Sequence, residues 1–187
     1  MRRCGRWHNA PGGRRRCAVS ETAPWVAPGA RLLGDVSMAP ESSVWYSTVV
    51  DGTAAPVVID AQANVQDNCV VAGVPGHPAR IGARVSLGHN GRVLGAIVEE
   101  RSLIAIGATV MPGAVIGTHS IVAANATVPE GMQVPPRSLV IGNGRIQRQV
   151  RDAEVERIEN GATDYVRLSR EHMATQRAQS SFHARSS

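Results

Sequence analysis

An aliphatic residue recurs at every sixth position through the middle of the chain, at Val98, Ile104, Val110, Ile116, Val122 and Val128. A small residue stands four positions after each of the first five, at Ser102, Ala108, Ala114, Ser120 and Ala126. Helices and strands have side-chain periods of about 3.6 and 2, so neither explains this spacing. A period of six is typical of a parallel β-helix, in which each hexapeptide supplies a short strand and a turn. Three such segments close one coil of about eighteen residues.

The same period begins earlier in the chain, with interruptions. It runs through Leu32, Met38, Val44 and Val50, then through Ile59, Val65 and Val71, then through Ile81, Leu87 and Val93, before a shift of one residue joins Val98. Residues 72–80 hold two prolines and two glycines, which predict a protruding loop. We expect five to six coils between Arg31 and Pro129, because the adjacent prolines at 135 and 136 cannot continue a hydrogen-bonded ladder.

The C-terminal segment has helical rather than hexapeptide spacing. Asp152 is expected to cap a helix that ends near Arg177, with one apolar face formed by Val155, Ile158, Ala162, Tyr165, Val166 and Leu168. This helix would lie antiparallel along one side of the coil and cover it. The predicted organisation is a basic, disordered tail (1–30), a β-helix (31–146), a helix (147–177) and a disordered tail (178–187). The fold class is therefore all-β with one C-terminal helix.

Composition narrows the function. All 20 basic residues are arginines and the net charge is +5, but no basic stripe is interleaved with aromatic residues, which argues against nucleic-acid binding. No apolar run is long enough for a membrane helix. Three cysteines without a CxxC pair argue against a disulfide framework, and Cys69 occupies a small-residue position, which predicts a buried thiol. We expect a cytoplasmic protein, although the arginine-rich N-terminus also fits a mitochondrial transit peptide.

Several segments together resemble the γ-class carbonic anhydrase-like proteins of the hexapeptide-repeat transferase superfamily. They include LLGDVSMAPESSVWYSTVV at 32–50, ANVQDNCVV at 63–71, PARIGARVSLGHNGRVLGAIV at 78–98, and the helix with NGATDYVRLSREH at 160–172. The resemblance implies a left-handed β-helix, a homotrimer, and a metal ion held by three histidines from two adjacent subunits. Such a metal lowers the pKa of its bound water so that hydroxide attacks carbon dioxide.

Mapped onto the resemblance, two of the three metal-ligand positions carry no histidine. His89 is retained, whereas Ala72 and Leu94 replace the other two. An Arg and an Asp that pair across the subunit boundary in the family are replaced by Asp51 and Thr53. The resemblance thus implies that no zinc, iron or cobalt cofactor binds unless the site is rebuilt.

Other site positions are retained. Asn64 and Gln66 match catalytic positions near the metal-bound water, and Asp67 matches a residue of the subunit contact. His77, in the predicted loop, is a candidate for a rebuilt metal site, and His119 is expected to be a solvated turn residue.

The sequence leaves several functions open. The first is a trimer that has lost carbonate dehydratase (lyase) activity, a pseudoenzyme acting as a scaffold or ligand-binding protein. The second is an active metal enzyme with a rebuilt site, or with a site shared in a hetero-trimer with a metal-competent paralogue. The third is an acyl-CoA-dependent acyltransferase that uses one of the histidines as general base.

Overall fold

The computed structural model describes residues 22–183 as a parallel β-solenoid of about 6 turns followed by one helix. The strands are Trp25–Val26 (β1), Arg31–Met38 (β2), Ser43–Val44 (β3), Val49–Ile59 (β4), Asn64–Val65 (β5), Val70–Ala72 (β6), Ala79–Ile81 (β7), Ser86–Leu87 (β8), Arg92–Leu94 (β9), Ile97–Val98 (β10), Leu103–Ile104 (β11), Thr109–Val110 (β12), Val115–Ile116 (β13), Ile121–Val122 (β14), Thr127–Val128 (β15), Gln133–Val134 (β16), Ser138–Ile141 (β17) and Arg145–Gln149 (β18). The helix is Asp152–His183 (α1).

The strands stack into three faces of a prism. Face 1 contains β1, β3, β5, β8, β11, β14 and β17 in that order. Face 2 contains β6, β9, β12 and β15, and face 3 contains β7, β10, β13 and β16. The long strands β2 and β4 belong to both of these faces: β4 pairs with β6 through Val49–Asp51 and with β7 through Val57–Ile59. We name the edges corner 1–2, corner 2–3 and corner 3–1 after the faces that they join.

The predicted aliphatic repeat forms the core. The six aliphatic residues of the repeat, from Val98 to Val128 at every sixth position, are fully buried, and so are the five small residues between them. Parallel pairing places each aliphatic residue directly over its counterpart one coil away, for example Val98 over Ile116 and Ile104 over Val122. Branched aliphatic side chains pack well in such stacks. The hexapeptide prediction is confirmed.

The interruptions in the repeat are changes in coil length at the corners. Partners on face 1 are 18 residues apart for Leu103 and Ile121, but 22 apart for Asn64 and Ser86. The longer coil contains residues 73–78, which protrude at corner 2–3 between β6 and β7. The predicted loop is therefore real but shorter than 72–80, because Ala72 lies in a strand.

The solenoid begins before its predicted start at residue 31, and its coils continue past the predicted last coil at Pro129, within the predicted domain of 31–146. Strand β1 pairs with β3, so the prediction of a disordered tail over 1–30 is wrong for residues 22–30, while residues 1–21 lie outside the described part. At the other end, β16 and β17 continue the repeat past Pro129. The prolines at 135 and 136 lie in the corner between these strands, where they interrupt no strand.

Strand β18 and the length of α1 are also corrections. Strand β18 pairs antiparallel with β17 and occupies part of the segment expected to begin the helix at 147. The helix runs to His183, six residues beyond Arg177, so the predicted disordered tail is wrong for residues 178–183; residues 184–187 are not described. The described residues contain no helix with the length and hydropathy needed to span a membrane.

The N-terminus of α1 is closed by Glu154 rather than by Asp152. The backbone N–H of Arg151 donates to Glu154 Oε2 at 2.9 Å, which is one half of a capping box. Glu154 also accepts two hydrogen bonds from Arg148, and these contacts lower its pKa to about 2. Asp152 instead pairs with Arg137 at 2.6 Å.

The far end of α1 is held on face 1 by an aromatic cluster, which confirms the predicted antiparallel packing. The cluster consists of Trp25, Trp45, Tyr46, Tyr165 and His172, with ring centroids 4.8 to 6.4 Å apart. Tyr46 Oη and His172 Nδ1 are 2.8 Å apart, and Trp25 Nε1 donates to Gln176 at 2.9 Å. The cluster therefore joins the first two coils to the part of the helix between Tyr165 and His172.

A column of polar residues along corner 3–1 provides the second attachment of α1. This corner ladder consists of Glu41, Gln62, Arg84, Arg101, His119 and Arg137, all with φ between 56° and 60°. Arg84 donates to the Glu159 carbonyl and to Thr163, and Arg101 Nη1 lies 3.4 Å from Glu159 Oε1. Positive φ costs a non-glycine residue about 1–2 kcal/mol, and the contacts with the helix offset that cost.

We predict that Ile116→Ala lowers the free energy of unfolding by about 2–5 kcal/mol, because it leaves a cavity in a fully buried stack. Ile97→Ala is the matched control: its side chain points outward from face 3 and is 38% exposed, so it should change stability by about 0.5 kcal/mol or less. Urea unfolding followed by circular dichroism measures both. Equal losses for the two variants would contradict the assignment of the core.

Candidate functional site

Ala72 and Leu94, the two residues that the resemblance maps to ligand positions, lie side by side on the outer surface of face 2. Ala72 pairs with Leu94 in register, and Asp51 pairs with Ala72 on the other side. In these strands Val71 and Val93 point inward, so residues 72 and 94 point outward, half-buried, in one row. The side chains of Ala72 and Leu94 carry no atom that can donate to a metal, and the carboxylate of Asp51 is the neighbouring polar group in the row.

Asp51 and Thr53 form a local contact with each other. Asp51 Oδ1 accepts hydrogen bonds from the Thr53 backbone N–H at 2.9 Å and from its hydroxyl at 2.6 Å. These bonds lower the pKa of Asp51. The carboxylate of Asp51 is therefore held by a residue of its own strand, β4.

His89 lies at corner 1–2, at the opposite edge of face 2 from Leu94. Its Nδ1 is 2.9 Å from Asp67 Oδ2, and both side chains are partly exposed. His89 comes before β9 at corner 1–2, whereas Leu94 is the last residue of β9, next to corner 2–3. The two positions therefore lie at opposite edges of face 2, an arrangement that suits a site shared between two chains rather than one closed within a chain.

Asn64, Gln66 and Ser86 form a buried polar network beside His89. Gln66 Oε1 accepts from the His89 backbone N–H at 3.2 Å, and Gln66 Nε2 donates to Asn64 Oδ1 at 3.1 Å. Asn64 Nδ2 in turn donates to Ser86 Oγ at 2.9 Å. The three side chains fix the backbone at corner 1–2 and thereby the position of the His89 backbone.

The other two candidate histidines lie elsewhere. His77 is in the 73–78 loop at corner 2–3, where its ring packs over Gly113. His119 is on the corner ladder, 3.9 Å from Glu159, so it is a turn residue as predicted but faces the helix. The three histidines occupy three different corners, and residues 22–183 contain no group of three or more His, Cys, Asp or Glu side chains placed to hold a metal.

Ser86 and Tyr165 were not identified from the sequence as residues of this region. Ser86 completes the polar network, and its position one coil from Asn64 could have indicated this. Tyr165 was assigned only to the apolar face of the helix. Burial raises its pKa, with a smaller contribution from Asp67. Cys69, in contrast, is a buried free thiol as predicted, and its burial raises its pKa to about 12.

Comparisons with known proteins agree with this geometry. Residues 95–130 match the model of the bacterial transferase hexapeptide (six repeats). The chain is 43% identical to a Methanocaldococcus jannaschii protein named "Probable carbonic anhydrase" over 77% of this chain and 91% of that one. It is 34% identical to the mitochondrial gamma carbonic anhydrase 1 of Arabidopsis thaliana, over 85% of this chain and 60% of that one. A solved structure of a hexapeptide transferase family protein from Anaplasma phagocytophilum superposes with a TM-score of 0.70 at 27% identity, covering 81% of this chain and 94% of that one.

We predict that Asn64→Ala lowers the free energy of unfolding by about 1–3 kcal/mol, because it leaves the buried Gln66 amide and Ser86 hydroxyl without their partner. Asn160→Ala, at an exposed position of α1, is the control and should change stability by about 0.5 kcal/mol or less. Thermal unfolding of both variants tests this. A loss at Asn64 no larger than that at Asn160 would contradict the network.

Proposed function

Because the chain belongs to the γ-class carbonic anhydrase-like family of left-handed β-helix hexapeptide proteins, we propose that it is a metal-free homotrimer with a scaffold or ligand-binding role. The observation that carries this proposal is the row of Ala72 and Leu94 on face 2. A catalytic zinc takes three protein ligands and keeps one open position. In the trimer, each interface would supply His89 alone, so the residues present do not fit zinc, iron or cobalt.

The outer surface of face 2 supports a cyclic trimer without a metal. One edge carries Leu33, which is 43% exposed, and Leu94, in a row that also contains Asp51 and Ala72. The opposite edge carries Ile106, 55% exposed, one coil away from His89. Two complementary patches at opposite edges of one face cannot meet within a chain, but they meet between neighbours in a head-to-tail ring. Leu94 would then occupy the region where the family places the metal.

We predict that the purified wild-type protein is a trimer with far less than one zinc, iron or cobalt ion per chain. The variant A72H/L94H should bind close to one ion per chain, because it restores three imidazoles at each interface. Light scattering measures the trimer, and elemental analysis of the same fractions measures the metal.

Two controls sharpen this experiment. A72H alone supplies only two imidazoles at each interface and should bind at least about tenfold less metal, since removing a ligand weakens a site strongly. A72H/L94H/H89A should behave in the same way. Stoichiometric metal in the wild-type trimer, with carbon dioxide hydration, would overturn the proposal.

A second candidate is a hetero-trimer in which His89 completes a site formed mainly by another subunit. The contact between His89 Nδ1 and Asp67 favours it, because metal-binding histidines commonly donate their other ring N–H to a carboxylate. In this arrangement Nε2 faces away from Asp67 and is available as a ligand. The wild-type chain would then contribute one imidazole and its partner two.

Co-expression of the wild-type chain with one variant tests whether His89 can complete a metal site formed by another subunit. Wild type supplies His89 only, and A72H/L94H/H89A supplies the other two positions. We expect neither to bind metal alone and mixed trimers to bind about one ion per trimer, because any mixture has one interface that joins the two sets. Mixed trimers without metal, beside metal-loaded A72H/L94H, would contradict a site shared in this way.

A further inference from the structure

A groove separates the first half of α1 from face 1, on the side of corner 1–2. Its volume is about 280 Å³. The lining residues are Gln66, Ser86, Leu103 and Ile121 from the solenoid and Glu154, Arg157, Ile158, Gly161 and Tyr165 from the helix. The lining therefore comes from face 1, from Gln66 at corner 1–2 and from one side of α1.

Gly161 leaves space in the groove. It lies inside α1 between the buried residues Ile158 and Ala162, and a Cβ built on it meets no atom within 4 Å. Glycine inside a helix costs about 1 kcal/mol relative to alanine. The helix therefore includes a destabilising residue at the point where it leaves a gap over the solenoid.

The polar groups of the groove are mainly donors. The Ser86 hydroxyl accepts from Asn64 but has no acceptor for its own hydrogen among the described residues, and the Tyr165 hydroxyl has no hydrogen-bond partner there. Arg157 forms no ion pair with a described carboxylate. The only carboxylate in the lining, Glu154, is already bonded to Arg148 and to the Arg151 backbone.

The rest of the lining is apolar. Leu103 and Ile121 stack one coil apart on the outer side of face 1, and Ile158 lies above them on the helix. A ligand that matches this lining has an apolar body and a group that accepts hydrogen bonds and carries negative charge. Pockets of about 300 Å³ are at the small end of ligand sites, which limits the ligand to a few carbon atoms beyond its polar group.

We propose that this groove is a binding site for a small monocarboxylate with an apolar body, such as a short-chain or aromatic acid. The apolar part packs on Leu103, Ile121 and Ile158. The carboxylate pairs with the Arg157 guanidinium, a charge-assisted contact stronger than a neutral hydrogen bond.

Benzoate titrated into the full-length protein, followed by calorimetry or ligand-observed NMR, tests the proposal. We expect saturable binding at one site per chain. Gly161→Leu should abolish it by filling the groove, whereas Gly161→Ala should retain it, because a methyl group there meets no atom within 4 Å. Both variants should keep the wild-type circular dichroism spectrum, so that a loss of binding is not a loss of fold.

A charge test completes the design. Arg157→Gln should weaken benzoate at least about tenfold and leave the binding of neutral benzyl alcohol unchanged. Arg145→Gln, at an exposed position of β18, is the control and should change neither.

Benzoate binding that survives Gly161→Leu, or that is absent in the wild-type protein, overturns the proposal. Bicarbonate binding as tightly as benzoate also overturns it, because bicarbonate has no apolar body. None of these results bears on metal content or on the trimer.

Discussion

Closure of each coil in register with the next is the constraint on which the whole structure depends. Backbone hydrogen bonds between coils form only if the chain returns to the same face after each circuit, and the inner aliphatic stack is buried only if those bonds form. The coils differ in length at the corners: residues 73–78 lengthen one coil, and the coil from Ser86 to Leu103 has 17 residues instead of the 18 between Leu103 and Ile121. The solenoid therefore tolerates variation at its corners and outer surfaces and very little inside.

Successive side chains along each short strand point alternately into the core and out to the surface, so the residues that form the core are not those that form the candidate site. In β9, Val93 points into the core, while Arg92 and Leu94 point out. Residues 72 and 94 point outward, so a substitution at either position disturbs no core contact. A hexapeptide solenoid can therefore vary the chemistry of its outer surface and keep its architecture.

The same alternation explains what the sequence could predict. Six consecutive hexapeptide positions identify the core because every one of them is an inward residue. The resemblance supplied the ligand positions, and the register of Ala72 with Leu94 fits them. The placement of His89 at the other edge of the face could not be derived from spacing, because the period of six fixes which residues point inward and not which corners meet between subunits.

Other features of the fold could not be predicted because the sequence has no recognisable pattern for them. Strand β1 is two residues long, and β18 is antiparallel and outside the six-residue period, so neither has a pattern of its own. The corner ladder places arginine and glutamate at positive φ, where a reader of the sequence expects glycine or asparagine. Those residues are explained by their side-chain contacts with α1, which are visible only once the helix and the corner are placed together.

Contacts at the first turn of α1, along one side and at residues 165–172 explain why the helix can span a gap over face 1. The aromatic cluster holds residues 165–172 on the first two coils, and Glu154 together with Arg148 holds the first turn beside β18. Between them, Arg84 and Arg101 bind Glu159 from corner 3–1, on the opposite flank from the groove. A helix fixed in this way does not need close packing over Leu103 and Ile121 to stay in place. The space beneath Gly161 is therefore a consequence of contacts made elsewhere, and it costs the fold little to keep it open.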